Sequence, residues 1–508
     1  MDVPGLPGET RTSDRERGGA HAPCRRAGRR PTLRAPSRQE SPLPFATIDP
    51  RTGQTLRTFA PHTWEEVEER LKRAEQALRA LRGTSFAERA GWMRRVAGLL
   101  EEEAERHGRT MTLEMGKPLE AARAEALKCA ATCRYYAEHA ERFLADEPVD
   151  TAPDTSFVRY QPLGAVLAIM PWNFPYWQVV RFAAPALMAG NVGLLKHAPS
   201  VPGCALALEE LFARGGFPPG AFQTLFVEVD EVRRLIEEPR IKAVTLTGSE
   251  GAGRDVGARA GGQLKKVVLE LGGSDPFVVL PGADLDAAVE TAVKARLINN
   301  GQSCIAAKRF IAPASIYAEF ERRFVERMRR VVVGDPLETG TEVGPLALAH
   351  IRDGLHAQVE KSVAAGATLL LGGQKPPGPG FWYPPTVLAH PPPGCPAHRE
   401  ELFGPVAVLF RAKDTEDALR IANDTPYGLG ATVWTRDEAE QRLFIDGLEA
   451  GTVSINGSVA SDPRLPFGGV KHSGHGRELA RHGLLEFLNI KTVRVSPSRA
   501  PASTQANE

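Results

Sequence analysis

Cys304 is the residue of this chain best suited to nucleophilic chemistry. It ends the segment Asn299-Asn300-Gly301-Gln302-Ser303-Cys304, in which a glycine-containing loop follows a helical stretch and would present a thiol at a cleft. A thiolate there could attack an electrophilic carbon and form a covalent intermediate. A single cysteine taken alone is more often a small buried residue than a catalyst. The choice between a catalytic cysteine and a small buried cysteine therefore depends on the motifs elsewhere in the chain.

Gly248-Ser249 is a second segment whose residue types could do chemistry. The pair follows an apolar run at residues 241–246 and precedes a helical stretch. Its backbone N–H groups would lie at a helix N-terminus, where pyrophosphate groups bind. The glycine spacing is Gly248-x-x-Gly251-x-Gly253, which departs from the common dinucleotide fingerprint G-x-G-x-x-G. Taken alone, this turn is a weak signal for a nucleotide site.

The elements that would position these residues alternate between helices and strands. Thr63 with Glu66, and Ser85 with Glu88, are capping-box signatures that open two helices. Further on, helical stretches separate short apolar runs, at residues 165–170, 192–195, 222–227, 241–246 and 267–271. This alternation predicts βαβ units and a doubly wound, largely parallel α/β sheet, with a nucleotide at the carboxyl ends of its strands. A second α/β region follows at residues 284–466.

The composition is that of an ordinary globular protein of two or three domains, with 508 residues, 42% hydrophobic and 25% charged. Lys and Arg total 63 and Asp and Glu total 62, a balance that favours a small-molecule partner over nucleic acid or a membrane surface. No apolar run approaches the roughly 20 residues that span a bilayer, and no secretory signal is evident. Six cysteines without a C-x-x-C pair predict free thiols, no metal site and a cytoplasmic location.

The two ends of the chain are predicted to be disordered, at residues 1–44 and 496–508. Residues 1–40 contain nine arginines and almost no large apolar side chain, so they cannot offset the entropy cost of ordering. An organelle transit peptide and a start codon assigned too early are alternative interpretations of this stretch.

The sequence around Cys304 resembles the active-site cysteine motif of the aldehyde dehydrogenase superfamily, Asn-x-Gly-Gln-x-Cys. Other blocks of that family are similar in order and spacing: Pro171-Trp172-Asn173-Phe174-Pro175, Leu195-Lys196, Leu246-Thr247-Gly248-Ser249, Leu269-Glu270-Leu271-Gly272-Gly273, Glu401-Leu402-Phe403-Gly404-Pro405 and Pro466-Phe467-Gly468-Gly469. The resemblance covers about residues 45–495. Any one of these motifs would be weak, whereas the ordered set is very specific.

This resemblance implies a mechanism and an architecture. Cys304 would be the nucleophile, Glu270 the general base, and the Asn173 side chain a donor to the oxyanion. A glutamate flanked by apolar residues and glycines is otherwise costly at a strand end, and desolvation would raise its pKa, as suits a base. The family architecture implies three regions: a Rossmann-type cofactor domain at 45–146 and 166–283, a catalytic domain at 284–466, and a β-element at 147–165 and 480–495 that joins subunits of a homodimer or homotetramer.

The resemblance also implies that NAD or NADP is the cofactor. Lys196 would reach the adenosine ribose and Glu401 the nicotinamide ribose, with Phe403 packing beside the nicotinamide ring. The other residues expected at the cofactor are Trp172, Gly248, Ser249 and Leu271. Pro199 stands where strict NAD users often have a glutamate. Because no carboxylate would repel a 2'-phosphate there, we expect both cofactors to be accepted.

Several stretches resemble bacterial NAD(P)-dependent succinate-semialdehyde dehydrogenases more than the superfamily at large, including Leu195-Lys196-His197-Ala198-Pro199. This likeness implies that Arg181 binds the carboxylate of the substrate and that the Ser461 hydroxyl donates a hydrogen bond to the substrate. Trp177 and Phe467 would line the tunnel that holds the substrate. Arg181 could instead be a surface arginine. A second arginine found in some semialdehyde enzymes is replaced by Ile298.

Three alternative functions stay open from the sequence. The first is a dehydrogenase for uncharged aliphatic or aromatic aldehydes, with Arg181 structural. The second is a dehydrogenase that transfers the acyl group to coenzyme A, which a competent Glu270 disfavours. The third is a catalytically silent binding or structural protein on the same fold, which the intact set of site residues argues against.

Overall fold

The structure is a computed structural model, and it describes residues 45–497. The predicted tail at residues 1–44, and all but the first two residues of the tail predicted at 496–508, lie outside the described residues. The described α-helices are Trp64–Arg82, Phe86–Glu102, Ala104–Met115, Leu119–Phe143, Trp177–Met188, Pro202–Gly215, Val229–Glu237, Glu250–Gly262, Leu285–Leu297, Ala314–Arg329, Ala349–Ala364, Pro396–Arg399, Thr415–Asn423, Glu438–Gly447 and Ala480–Leu485.

The first helices begin where the sequence predicts. Both capping boxes are present: the side chains of Thr63 and Ser85 accept hydrogen bonds from the backbone N–H groups of Glu66 and Glu88, and each glutamate accepts one in return. These reciprocal bonds satisfy N–H groups that have no partner within a helix. No helix among residues 45–497 has the length and apolar character that crossing a membrane requires.

A six-stranded sheet confirms the predicted α/β fold class. Its strands lie in the order Gly474–His475, Lys266–Glu270, Ile241–Thr247, Ala165–Met170, Val192–His197 and Phe222–Thr224. All neighbouring pairs are parallel except the first. In such a sheet the crossover helices cover both faces, and ligands bind beyond the carboxyl ends of the strands.

A seven-stranded sheet forms the second α/β layer. Its order is Thr368–Leu371, Thr386–Ala389, Val406–Ala412, Arg309–Pro313, Pro276–Val279, Gly430–Trp434 and Thr452–Ile455. Pro276–Val279 belongs to this sheet, so the chain changes sheet between Glu270 and Pro276. That change comes earlier than the predicted boundary at residue 284, because a four-residue apolar run does not reveal which sheet it joins.

Three further strands form a separate antiparallel sheet. Glu147–Thr151 pairs with Asp154–Pro162, which also pairs with Leu488–Val495 over eight residue pairs. The segment predicted as a β-element at 480–495 therefore divides into the Ala480–Leu485 helix and this last strand. The described residues also form two short two-stranded sheets, in which Phe45–Ile48 pairs with Thr55–Phe59 and Tyr427–Gly428 pairs with Val470–Lys471.

Candidate active site

A cavity of about 270 Å³ lies at the carboxyl ends of the six-stranded sheet. Eight of the residues that the sequence predicts to be catalytic or cofactor-binding meet there, from five separate parts of the chain. Its lining includes Trp172, Asn173, Gly248, Ser249, Leu271, Cys304, Glu401 and Phe403. Glu270 precedes Leu271 at the end of its strand. The site therefore lies beyond the carboxyl ends of the parallel strands, where ligands bind in this type of sheet.

The loop that carries Cys304 has a backbone fixed by three unusual residues. Asn299, Asn300 and Gly301 have φ values of 58°, 59° and 75°, a left-handed conformation that asparagine and glycine tolerate best. A Cβ on Gly301 would come within 2.3 Å of the carbonyl oxygen of Gly404. The three residues Asn-Asn-Gly therefore allow the chain to turn sharply just before Cys304.

Lys308 fixes this loop by hydrogen bonds, and no motif in the sequence predicts this role. Its Nζ donates to the carbonyl oxygens of Ser303 and Cys304 at 2.7 and 2.8 Å. The same ammonium forms an ion pair with Glu401 at 3.1 Å, and the Glu401 carboxylate accepts the Gly273 backbone N–H at 3.2 Å. One buried lysine thus ties the nucleophile loop to the glutamate predicted to hold the nicotinamide ribose.

The surroundings of Cys304 favour the neutral form of its thiol. Desolvation in the cavity raises its pKa to about 12, although the positive charges of Lys308 and Arg181 act in the opposite direction. A thiol is a far weaker nucleophile than a thiolate. Attack by Cys304 therefore requires a base to take the proton.

Asn173 is fixed against the same loop. Its side-chain Nδ2 donates to the carbonyl oxygen of Gln302 at 3.0 Å, and its own carbonyl oxygen accepts a bond from Asn299 Nδ2 at 2.6 Å. The amide has a second N–H, which leaves a donor beside the Cys304 thiol, since both residues line one cavity. His197 contacts the Pro175 carbonyl oxygen at 2.9 Å, so the neighbouring strand also holds the turn that bears Asn173.

Glu270 is a buried carboxyl group without a hydrogen-bond partner. Its side chain is 2% exposed, and neither of its oxygens is bonded within the described structure. Burial raises its pKa well above the ordinary value, and the negative charge of Glu478 raises it further, whereas Arg181 and Arg477 lower it. A Cβ on Gly468 would lie 2.6 Å from Glu270 Oε1, so glycine there leaves room for the carboxyl group. Such a group is suited to receive a proton.

Arg181 lies in the protein interior and is already paired. It forms an ion pair with the buried Glu478 and donates from Nη2 to Thr247 Oγ1 at 3.3 Å. Its guanidinium also lies 4.8 Å from the centre of the Phe467 ring. The alternative of a surface arginine is therefore wrong, because the side chain is 3% exposed. The role of carboxylate ligand stays a prediction, and the pairing with Glu478 competes with it.

Ser461 and Trp177 are brought together by a residue that the sequence analysis missed. Lys128, on the Leu119–Phe143 helix, donates from Nζ to Ser461 Oγ at 2.8 Å. The same Nζ lies 4.1 Å from the centre of the Trp177 ring. Only the bare presence of a lysine on a helix could have indicated this contact, and that signal is too common to be useful.

The proposed phosphate and nicotinamide sites have the shape that a dinucleotide requires. Ser249 caps the Glu250–Gly262 helix by accepting the Ala252 N–H at 3.3 Å. A Cβ on Gly251 would meet nothing within 4 Å, so the helix N-terminus is open to a ligand. Trp172 and Phe403 pack edge to face with ring centres 5.8 Å apart at the cavity wall. The residues present thus fit a nicotinamide dinucleotide.

Lys196 lies apart from this cavity, at the end of the Val192–His197 strand. Its side chain is partly buried, and desolvation lowers its pKa. The strand end brings it to the same edge of the sheet as Gly248, because the two strands flank Ala165–Met170 in parallel. That position is where the adenosine half of a dinucleotide would extend.

Comparison with known proteins identifies the family of this chain. The sequence model of the aldehyde dehydrogenase family matches residues 37–493. The chain therefore belongs to the aldehyde dehydrogenase family, and the predicted fold and enzyme class are confirmed.

Individual relatives are similar to this chain over most of its length. A protein of Mycobacterium tuberculosis named succinate-semialdehyde dehydrogenase [NADP(+)] 1 is 57% identical over 89% of this chain and 100% of its own. The protein of Mycobacterium leprae named succinate-semialdehyde dehydrogenase [NADP(+)] is 55% identical over the same shares. A crystal structure of succinic semialdehyde dehydrogenase from Streptococcus pyogenes with NADP+ matches with a TM-score of 0.87 and 35% identity, covering 89% of this chain and 100% of that one.

Proposed function

We propose that this enzyme oxidises succinate semialdehyde to succinate with NADP+ or NAD+. The observation that carries the proposal is the placement of Cys304 and Asn173 in one cavity, with the buried Glu270 beside it. The names of relatives more than half identical in sequence supply the substrate. A coenzyme A acceptor is disfavoured, because an unbonded buried carboxyl group is placed to activate water.

The chemistry follows from the residues in order. Glu270 takes the thiol proton of Cys304 while the Sγ atom bonds to the aldehyde carbon. The free N–H of the Asn173 amide and the backbone N–H of Cys304 stabilise the resulting oxyanion. The nicotinamide cofactor, when bound, supplies the acceptor for the hydride of that carbon. A thioester then remains on Cys304, and Glu270 releases the first proton to solvent. Glu270 next takes a proton from the water that attacks the thioester, the C–S bond breaks, the carboxylate product leaves, and the proton on Glu270 returns to the Cys304 sulfur.

The choice between cofactors rests on one exposed position. Pro199 offers no carboxylate near Lys196, so neither a 2'-phosphate nor a 2'-hydroxyl is excluded by charge. The relatives are named for NADP(+). We expect NADP+ to be used at least as well as NAD+.

The three-stranded sheet is the surface through which subunits would join. Its strand Leu488–Val495 carries the exposed apolar side chains Ile490 and Val495, and its strand Glu147–Thr151 carries Val149. Exposed apolar side chains on a small sheet favour burial against another copy. A homodimer or homotetramer, a cytoplasmic location and the lack of nucleic-acid or membrane partners stay predictions.

The test compares succinate semialdehyde with hexanal, each with NADP+ and NAD+, by following the absorbance of the reduced nicotinamide. We expect a strong preference for succinate semialdehyde, and no reduction by the Cys304→Ala variant with either aldehyde. Equal or better turnover of hexanal would contradict the proposed substrate and favour the alternative of uncharged aldehydes, which the engagement of Arg181 by Glu478 supports. Size-exclusion chromatography with light scattering tests the number of subunits.

A further inference from the structure

Two buried charges lie next to the turn that carries Asn173. Lys117 and Glu125 form an ion pair in which the two side chains are 1% and 3% exposed. Glu125 lies on the Leu119–Phe143 helix, and Lys117 lies two residues before that helix begins. A buried ion pair is weak evidence for stability, because the cost of removing two charges from water can exceed their attraction. The pair therefore needs an explanation other than stability.

Glu125 caps the helix that follows the Asn173 turn. Its Oε1 accepts the backbone N–H groups of Tyr176 and Trp177, both at 2.9 Å. These residues are the N-cap and the first residue of the Trp177–Met188 helix, where backbone N–H groups have no partner within the helix. A negative charge is also favourable at this end of a helix. The carboxylate thus fixes the chain three residues after Asn173.

Lys117 contacts the same turn through Phe174. Its Nζ lies 4.3 Å from the centre of the Phe174 ring, a distance that allows a cation–π interaction. Phe174 follows Asn173 directly. The turn is therefore held at Phe174 by the lysine and at Tyr176 by the glutamate. Because the two charges also bind each other, a shift of either side chain would disturb both contacts.

The segment that bears Lys117 also contacts the loop of Cys304. The carbonyl oxygen of Gly116 accepts a hydrogen bond from Asn300 Nδ2 at 2.9 Å. Residues 116 and 117 thus connect the cysteine loop to the Asn173 turn. These are the parts of the chain that supply the two proposed oxyanion donors, the Asn173 amide and the Cys304 backbone N–H.

We propose that Glu125, oriented and neutralised by Lys117, is a positioning residue that sets the place of the Asn173 amide relative to the Cys304 N–H. The inference rests on the proposed function, in which both of these groups stabilise the oxyanion. Glu125 and Lys117 act through the backbone of the turn and take no part in the bond-making steps. Misplacement of a reacting group by about 1 Å costs on the order of 100-fold in rate, so the pair controls how fast the aldehyde is attacked.

The test compares two double variants that differ only in the acceptor. Lys117→Met with Glu125→Gln removes both charges and keeps an oxygen for the N–H groups of residues 176 and 177. Lys117→Met with Glu125→Leu removes the charges and the oxygen. We expect the first-turnover rate at saturating aldehyde, read from the reduced nicotinamide, to fall about 10- to 100-fold in the leucine variant. The glutamine variant should recover most of that rate. A folded glutamine variant slowed by about 100-fold would overturn the inference, whether or not the leucine variant folds.

The loss in the leucine variant must act through Asn173. Adding its two substitutions to Asn173→Ala should slow the first turnover by no more than about twofold, because the donor that they misplace is already absent. Losses that multiply in full would overturn the inference, since that is the behaviour of independent sites. The matched control is Arg240→Met with Glu68→Leu, which removes an ion pair at the amino end of the Ile241–Thr247 strand. It should leave the first-turnover rate unchanged.

Hydrogen-exchange mass spectrometry reads the hold on the turn without the reaction. A peptide that covers residues 171–177 should exchange faster in the leucine variant than in the glutamine variant. Equal exchange would overturn the positioning role. If Asn173→Ala alone keeps the wild-type rate, the oxyanion donor of the proposed function fails, whereas the exchange rates still decide whether Glu125 holds the turn.

Discussion

Replacement of Asn173 by alanine should slow the formation of the thioester about 100- to 1,000-fold. One N–H of the Asn173 amide is already used by the Gln302 carbonyl oxygen at 3.0 Å, so a single N–H is left for the oxyanion. Loss of one such donor costs roughly 3–4 kcal/mol of transition-state stabilisation, and about 1.4 kcal/mol corresponds to a factor of ten. The hydrogen bond that the side-chain Nδ2 of Asn299 donates to the backbone carbonyl oxygen of Asn173 does not involve the Asn173 side chain, so the loop should keep its shape.

The assay is the rate of the first turnover in a stopped-flow instrument, read from the reduced nicotinamide at saturating aldehyde. Because the donor acts on the oxyanion and little on the aldehyde itself, KM should change far less than the rate. Asn173→Asp, which keeps the shape but places a carboxylate beside the oxyanion, should be at least as slow. A loss smaller than tenfold in Asn173→Ala, with the thermal stability retained, would refute the assignment of Asn173 as a donor.

Three further predictions follow from other contacts. Glu478→Gln removes a negative charge that raises the pKa of Glu270. The base form then persists to lower pH, and the acid limb of the pH–kcat profile should move to lower pH; a shift to higher pH would contradict the coupling. Gly301→Ala places a Cβ 2.3 Å from the Gly404 carbonyl oxygen at a φ of 75°, so activity and melting temperature should both fall, and an unaffected enzyme would disprove the described loop. Pro199→Glu should reduce kcat/KM with NADP+ by about tenfold or more while NAD+ is retained, and equal losses with both cofactors would exclude charge discrimination there.

Local sequence signals predict the elements of this fold well. The strand Ala165–Met170 has the bounds that its apolar run predicts, and the helices at Trp64 and Phe86 begin at their capping boxes. These signals depend on residues close together in sequence, as turns and caps do. The family motifs predict which residues are catalytic, and the structure brings two of them, Cys304 and Asn173, into one cavity.

The ionic contacts around the site could not be predicted in the same way. Lys128 and Ser461 are 333 positions apart in the chain, and nothing in either local sequence indicates the other. The ion pair of Arg181 with Glu478 could not be predicted either, because Glu478 lies outside the motifs that resemble the family. Lys308 occupies a buried position that an apolar residue would normally fill, and only the tertiary fold shows that two carbonyl groups of the cysteine loop occupy its donors.

The last residues of the described chain complete the site, which matters for how the protein is synthesised. Gly474–His475 pairs with the strand that ends at Glu270, and Glu478 neutralises Arg181. Leu488–Val495 then closes the sheet that Asp154–Pro162 begins. Until residues 474–495 have been translated, the thiol exists but its base lies on an exposed sheet edge. A product truncated before residue 474 would therefore be inactive and prone to associate through that edge, so the reactive centre forms only after this segment has been synthesised.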